Sequence, residues 1–156
     1  PRELRKEDID SVEKIYDLYW SGSFRENLSK KLNSYFENSP EIIEQGFKYF
    51  VAEKDGEVVG VSAFRKAPEH MKRYTTTSNP LELYIIAVKY KRQGIGSALR
   101  KKRIKEAKKL GYTEAIFFSA ESHKDSWAFH DNSDFKRVGD AIAPNGEHGK
   151  IWRMQL

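Results

Sequence analysis

One stretch of the chain, residues 84–97, constrains its fold more than any other. It starts with the apolar run YIIAV, continues through the basic turn KYKRQ and reaches Gly94 and Gly96, where a helix-forming segment follows. Glycine permits positive φ and close approach to an anion, and a helix N-terminus offers unpaired N–H groups with partial positive charge. Lys91 and Arg92 add formal charge there. The stretch predicts a strand–turn–helix unit that binds a phosphate-bearing cofactor.

Neither of the common phosphate-binding fingerprints fits this turn. The dinucleotide pattern G-x-G-x-x-G after a first strand is absent. The P-loop pattern is also absent, because no Gly-Lys-Ser/Thr ends the turn. What remains is a basic residue, two intervening residues and G-x-G at the start of a helix.

The segment KRQGIG, residues 91–96, resembles the hallmark of the GNAT superfamily of N-acetyltransferases, Arg/Gln-x-x-Gly-x-Gly/Ala, with Lys91 at the first position. Residues 82–88 look like the strand that carries the cofactor's pantetheine arm in that family. The segment FHDNSDF, residues 129–135, resembles the family's Phe-Tyr-x-x-x-Gly-Phe segment. The resemblance is close over residues 47–140 and holds only in outline before them.

The resemblance implies a fold, a reaction and a cofactor. The fold is of the α/β (α+β) class, a GNAT-like central mixed, mostly antiparallel β-sheet flanked by helices, in one domain of residues 1–156. The reaction moves an acetyl group from acetyl-CoA to a primary amine by direct attack in a ternary complex, without a metal. The residues expected to bind acetyl-CoA are Ile86, Ala87, Val88, Lys91, Arg92, Gln93, Gly94, Ile95, Gly96 and Ser97.

Two side chains are candidates for the proton transfers of that reaction. An amine of pKa ~10 must lose a proton before it attacks, and the departing thiolate is helped by gaining one. We expect Glu82 to be the base, the other interpretation being a surface or acceptor-holding carboxylate. His130, where relatives often have Tyr, is expected to be the acid, unless it is merely a packed histidine. His123 and Asp134 depart from the family's usual Asn and Gly.

Composition narrows the class of protein. A chain of 156 residues suits one domain. No apolar run approaches the ~18 residues needed to span a membrane, and no signal-peptide pattern is present. The absence of cysteine excludes disulfides and thiol catalysis and fits a cytoplasmic protein. The spacing of His123, His130 and His148 does not predict a metal site.

The net charge of +5 is concentrated in residues 100–109, which hold seven basic residues and one acidic residue. The run is typical of a solvated helix face, although Arg100 or Lys101 could attract the cofactor's 3′-phosphate. Nucleic-acid binding is less favoured, because no aromatic residues alternate with the basic ones. A catalytically weak acetyl-CoA sensor and a basic nucleic-acid-binding module stay open as alternative functions. The expected partner is a small-molecule or protein amine acceptor, and no interaction with a membrane is expected. Formation of a homodimer stays open.

The residue pattern predicts alternating helices and strands. A hairpin is predicted at Asp55-Gly56 between two apolar runs, and a polar loop at residues 66–79. Arg103 interrupts the apolar stripe of the helix that follows the glycines. The predicted helices cover residues 8 or 10 to 21, 24–36, 40–45, 95–110 and 126–132, and the strands cover 2–5, 47–53, 58–64, 81–88, 115–118, 136–142 and 150–155.

Overall fold

The computed structural model describes all 156 residues. The strands are β1 (Arg2–Glu3), β2 (Lys48–Lys54), β3 (Glu57–Lys66), β4 (Pro80–Val88), β5 (Glu114–Ala120), β6 (Lys136–Ile142) and β7 (His148–Gln155). The α-helices are α1 (Ile9–Asp17), α2 (Gly22–Ser34), α3 (Pro40–Gln45), α4 (Ile95–Lys109) and α5 (Trp127–Asp131). Short 3-10 helices cover Lys6–Asp8, Glu69–Tyr74 and Glu121–Ser126.

The seven strands form one mixed sheet in the order β1-β2-β3-β4-β5-β7-β6. The pairs β1/β2, β2/β3, β5/β7 and β6/β7 are antiparallel, and β4/β5 is parallel. The parallel ladder is short, with Pro80, Leu81 and Glu82 as its β4 members. These pairings, with helices flanking the sheet, confirm the predicted fold class.

Several local predictions need correction. The first helix ends at Asp17 rather than at residue 21. The opening strand ends at Glu3 rather than at residue 5, because the Asp8 carboxylate accepts the Arg5 N–H at 2.7 Å and starts a helical turn. The second helix covers Gly22–Ser34 instead of residues 24–36. The loop predicted over residues 66–79 contains the 3-10 helix Glu69–Tyr74, which buries Met71.

The chain divides into two compact units, of which the first comprises Pro1–Arg65 and Tyr84–Glu106. Its core joins α1 and α2 to β2, β3 and the second half of β4. The buried members of this core include Val12, Ile15, Tyr16, Leu28, Leu32, Tyr49, Val51, Val61, Ile85 and Ala87. The helix α4, which carries the predicted cofactor turn at its start, belongs to the same unit.

The second unit comprises Lys66–Leu83 and Ala107–Leu156. One small core contains Ala67, Met71, Ile116 and Ile151. A group of aromatic rings surrounds Phe117 of β5 and Trp152 of β7, which pair across the two strands and stack with their ring centroids 5.4 Å apart. Whether residues 1–156 act as one acetyl-CoA-dependent domain stays a prediction. None of the helices is long and apolar enough to cross a membrane.

Candidate active site

Residues 89–96, called the glycine turn from here on, have the backbone shape that an anion site requires. This turn joins β4 to α4, and both Arg92 (φ 61°) and Gly94 (φ 75°) adopt left-handed conformations. Successive N–H groups in turns of this kind form a concave anion-binding surface. The first helical hydrogen bond runs from the N–H of Ala98 to the carbonyl of Gly94 at 3.0 Å. The N–H groups just before it lack helical partners and can bind an anion.

The exposed surface of this turn is basic. Lys91, Arg92, Gln93 and Gly94 are exposed, whereas Ile95 is buried and anchors the start of α4. Cations beside free N–H groups strengthen binding of a phosphate. The turn therefore offers both kinds of group that a pyrophosphate recognises.

The hairpin between β2 and β3 holds the turn from one side. Lys54 Nζ donates a hydrogen bond to Gln93 Oε1 at 2.8 Å. Glu57 forms an ion pair with Lys89 and lies 3.3 Å from the Tyr90 hydroxyl. The hydrogen bond to Lys89 holds the pKa of Glu57 below its usual value. The side chain of Gln93 is thus engaged within the protein, which leaves its main chain for a ligand.

The second half of β4 presents one apolar side chain to solvent. Ile86 is 40% exposed between the buried Ile85 and Ala87. The Val88 carbonyl accepts a hydrogen bond from the Tyr19 hydroxyl at 2.7 Å, and the Lys89 N–H donates to the Val59 carbonyl at 2.7 Å. The Val88 carbonyl and the Lys89 N–H are thus already engaged within the protein.

The two predicted proton-transfer residues both belong to the second unit. Glu82 lies at the end of the β4/β5 ladder, opposite Ile116, and its side chain is half-buried. His130 lies on α5, half-buried, with its ring 4.8 Å from that of Phe117 and 5.0 Å from that of Trp152. Neither role is tested by these positions, and both stay predictions.

A network beside His130 fixes the helix that carries it. Asp131 accepts hydrogen bonds from Trp152 Nε1 at 2.9 Å and from Arg137 at 2.7 Å. The bond from Trp152, and then that from Arg137, holds the pKa of Asp131 below its usual value. The Ser133 hydroxyl donates to the His130 carbonyl at 2.6 Å and accepts the Phe135 N–H at 3.1 Å. Ser133 thus shapes the turn that contains Asp134.

Comparison with known protein families decides the family. The model of the acetyltransferase (GNAT) family matches residues 10–135, most of the chain. The chain belongs to the GNAT family of acetyltransferases. Comparison with curated proteins finds no match.

Solved structures of GNAT acetyltransferases share this fold. A protein of Desulfovibrio desulfuricans assigned to the family has a TM-score of 0.80 at 16% identity, over 99% of this chain and 96% of that one. The ribosomal-protein-alanine N-acetyltransferase of Brucella melitensis has a TM-score of 0.71 at 20% identity, over 99% of this chain and 98% of that one. The PaiA N-acetyltransferase of Thermoplasma acidophilum, in complex with coenzyme A, has a TM-score of 0.66 at 18% identity, over 99% of this chain and 97% of that one. At such identities these likenesses establish the fold.

Sequence reasoning missed several residues that shape the candidate site. The contacts of Lys54, Glu57 and Tyr19 with the β4–turn segment join residues 32 to 69 positions apart, which no local pattern signals. Arg103 did leave a signal, because it falls within the apolar stripe of α4. It is in fact 4% exposed, an exception to the solvated face predicted for the basic run.

Proposed function

We infer that this GNAT protein transfers an acetyl group from acetyl-CoA to the nitrogen of a primary amine. The observation that carries this proposal is the glycine turn, with Arg92 and Gly94 in left-handed conformations before α4 and exposed cations beside them. Coenzyme A carries a pyrophosphate that such a turn can bind. The PaiA relative, solved with coenzyme A, supports the choice of cofactor.

The proposed cofactor site follows the predicted residues. The N–H groups of Gln93, Gly94, Ile95, Gly96 and Ser97 bind the pyrophosphate, with Lys91 and Arg92 supplying charge. Ile86, Ala87 and Val88 hold the pantetheine arm as an added strand, a form of recognition that uses main-chain hydrogen bonds.

The proposed chemistry needs one base and one acid. Glu82 accepts the proton of the amine, whose lone pair then attacks the thioester carbonyl. The new C–N bond forms as the C–S bond breaks, the attacking nitrogen releases its second proton to solvent, and His130 donates a proton to the departing thiolate. A main-chain N–H of β4 stabilises the negative charge that develops on the carbonyl oxygen. The products are an N-acetylated amine and coenzyme A.

The acceptor is proposed as a primary amine, either a small molecule or a protein amine. The Brucella melitensis relative acts, by its name, on an alanine of a ribosomal protein, which supports a protein amine as one candidate. The basic net charge of this chain disfavours a polyamine, because like charges repel.

The first experiment is calorimetric titration of the protein with acetyl-CoA, alongside Gly94→Glu and Gly146→Glu. Both glycines have left-handed φ and open space around the added side chain, so the two substitutions impose a similar local strain. We expect micromolar binding that Gly94→Glu abolishes and Gly146→Glu retains. Loss of binding in both variants, or in neither, would contradict a cofactor site at the turn.

Activity is then measured as thiol release with a panel of primary amines. We expect Glu82→Gln and His130→Ala each to lower kcat by about a hundredfold, the usual contribution of acid–base catalysis. Binding of acetyl-CoA without thiol release for any amine would favour the sensor function instead.

A further inference from the structure

The side chain of Arg103 is a cation buried inside the first unit. It lies on α4, one turn after Leu99 and one turn before Ala107, and both of these neighbours are completely buried. Burial of the guanidinium, and secondarily the charge of Arg100, lowers the pKa of Arg103 to about 9. The side chain is therefore still charged at neutral pH.

The hydrogen bonds of this guanidinium go to main-chain carbonyls. One nitrogen donates to the Ile85 carbonyl at 2.9 Å and to the Ala63 carbonyl at 3.3 Å. The Nε of Arg103 is buried without a partner. A charge that is removed from water and left with an unpaired donor weakens the fold, and apolar side chains of similar volume often serve stability as well or better. Stability therefore does not explain an arginine at this position.

The acceptor of the shorter bond suggests what the arginine does. The Ile85 carbonyl belongs to the same peptide group as the Ile86 N–H, and all peptide bonds of the chain are trans. In a trans peptide the C=O and N–H point in opposite directions. A guanidinium on the carbonyl therefore fixes the direction of the Ile86 N–H, which points away from the guanidinium. It also polarises the peptide, which makes that N–H a stronger donor.

Ile86 lies where such a donor is useful. It is the exposed residue in the second half of β4, three residues before the glycine turn. The ladder of β4 with β5 ends earlier, at Glu82. Thioester chemistry requires an N–H donor that is already aimed at the carbonyl oxygen when negative charge develops there.

We propose that Arg103 is a positioning residue for acetyl transfer: it holds the Ile85–Ile86 peptide so that the Ile86 N–H binds the thioester oxygen of acetyl-CoA. This inference rests on the proposed function. Arg103 itself touches neither substrate nor cofactor. The effect of Arg103 is confined to the acetyl end of acetyl-CoA. Replacement of Arg103 should therefore change the interaction with acetyl-CoA and leave that with coenzyme A unchanged.

The test needs no knowledge of the acceptor. Acetyl-CoA labelled with ¹³C at the thioester carbonyl is bound to the wild type, Arg103→Met, Arg103→Lys and Leu99→Met, and its carbonyl stretch is recorded by infrared difference spectroscopy. Leu99→Met is the matched control, because it alters the same buried face of α4 without removing the cation. Calorimetry with coenzyme A, which lacks the carbonyl, measures the remainder of the site.

In the wild type we expect the carbonyl stretch to move to lower wavenumber on binding. Arg103→Met loses this shift, Arg103→Lys retains part of it because an ammonium can still donate to the Ile85 carbonyl, and Leu99→Met keeps it. Coenzyme A binds all four proteins equally. With an acceptor amine, kcat of Arg103→Met falls by about tenfold, less than removal of an entire oxyanion donor costs.

An unchanged carbonyl stretch in Arg103→Met would overturn the inference and leave the proposed function intact. Equal weakening of acetyl-CoA and coenzyme A binding would also overturn it, since a merely structural role predicts that outcome. If Arg103→Met does not fold, a full wild-type shift in Arg103→Lys would overturn it. Absence of acetyl-CoA binding by the wild type would instead contradict the proposed function.

Discussion

Two buried charges, one in each unit, are accommodated in opposite ways. Glu114, at the start of β5, is completely buried, and hydrogen bonds from main-chain and side-chain donors surround its carboxylate. The donors are the N–H and hydroxyl groups of Thr76 and Thr77 at 2.8–3.2 Å and Gln155 Nε2 at 3.1 Å, with Arg153 Nε at 3.5 Å. Arg103 has two carbonyl acceptors and an unpaired Nε.

The difference separates a structural charge from a functional one. A buried carboxylate with its lone pairs satisfied cross-links the segments that supply the donors, here the loop before β4 and the end of β7. A buried cation with incomplete hydrogen bonding weakens the fold, which agrees with the positioning role proposed for Arg103. Replacement of Glu114 should therefore lower stability, whereas replacement of Arg103 should lower activity with little change in stability.

The largest effect should follow Glu114→Gln. The new amide cannot accept the hydrogen bonds that the second carboxylate oxygen now receives, and its NH₂ group faces other donors. We expect the free energy of unfolding to fall by about 3–5 kcal/mol, as when one partner of a buried charged network is removed. Denaturant unfolding measures it, with the exposed Glu121→Gln as the control. A loss no larger than in the control would refute the structural role.

Acid should reproduce part of this loss. Burial alone would raise the pKa of Glu114, but the hydrogen bonds from Thr76, Thr77 and Gln155 outweigh it and hold the pKa below its usual value. The stabilisation is therefore complete above the unfolded pKa and is lost as pH falls through the lower folded value. Unfolding titrations from about pH 7 to about pH 3 should show the gap between wild type and Glu114→Gln narrowing. A stability difference between wild type and Glu114→Gln that does not change with pH would contradict the stabilising role of the ionised Glu114 carboxylate.

Arg103→Met should change stability much less. The substitution removes two hydrogen bonds to main-chain carbonyls, and the loss of a buried charge offsets that cost, so we expect a net change within about 1 kcal/mol. Thermal unfolding of wild type, Arg103→Met and Glu114→Gln compares the two stability changes. A loss as large as that of Glu114→Gln would show that both charges are structural.

The smallest effect should come from an exposed charge, in Lys54→Met. Loss of the hydrogen bond to Gln93 loosens the glycine turn and removes a cation near it, so we expect about threefold weaker acetyl-CoA binding, typical of an exposed ionic contact. Calorimetry against Lys48→Met, at the other end of β2, checks this. Equal affinities of the two variants would place the hairpin outside the cofactor site.

The sequence determined the local elements of this protein. Pro40–Gln45 and Lys136–Ile142 have the bounds that the residue pattern predicted. The Asp55-Gly56 turn forms between β2 and β3, with both residues in left-handed conformations. The glycine turn also lies between strand and helix as predicted. Each of these features depends on residues close together in the chain, whose conformational preferences act locally.

Only the tertiary structure decided which charges are buried and what they contact. Arg103 belongs to a basic run that predicts a solvated face, yet its acceptors lie 18 and 40 residues away. The donors to Glu114 lie 37 to 41 residues away. Burial of a charge depends on partners from distant segments that replace water, and sequence periodicity carries no information about them. The glycine turn could thus be read from the chain. For Arg103 the apolar stripe of α4 gave a signal, but the carbonyls that accept its hydrogen bonds could not be predicted.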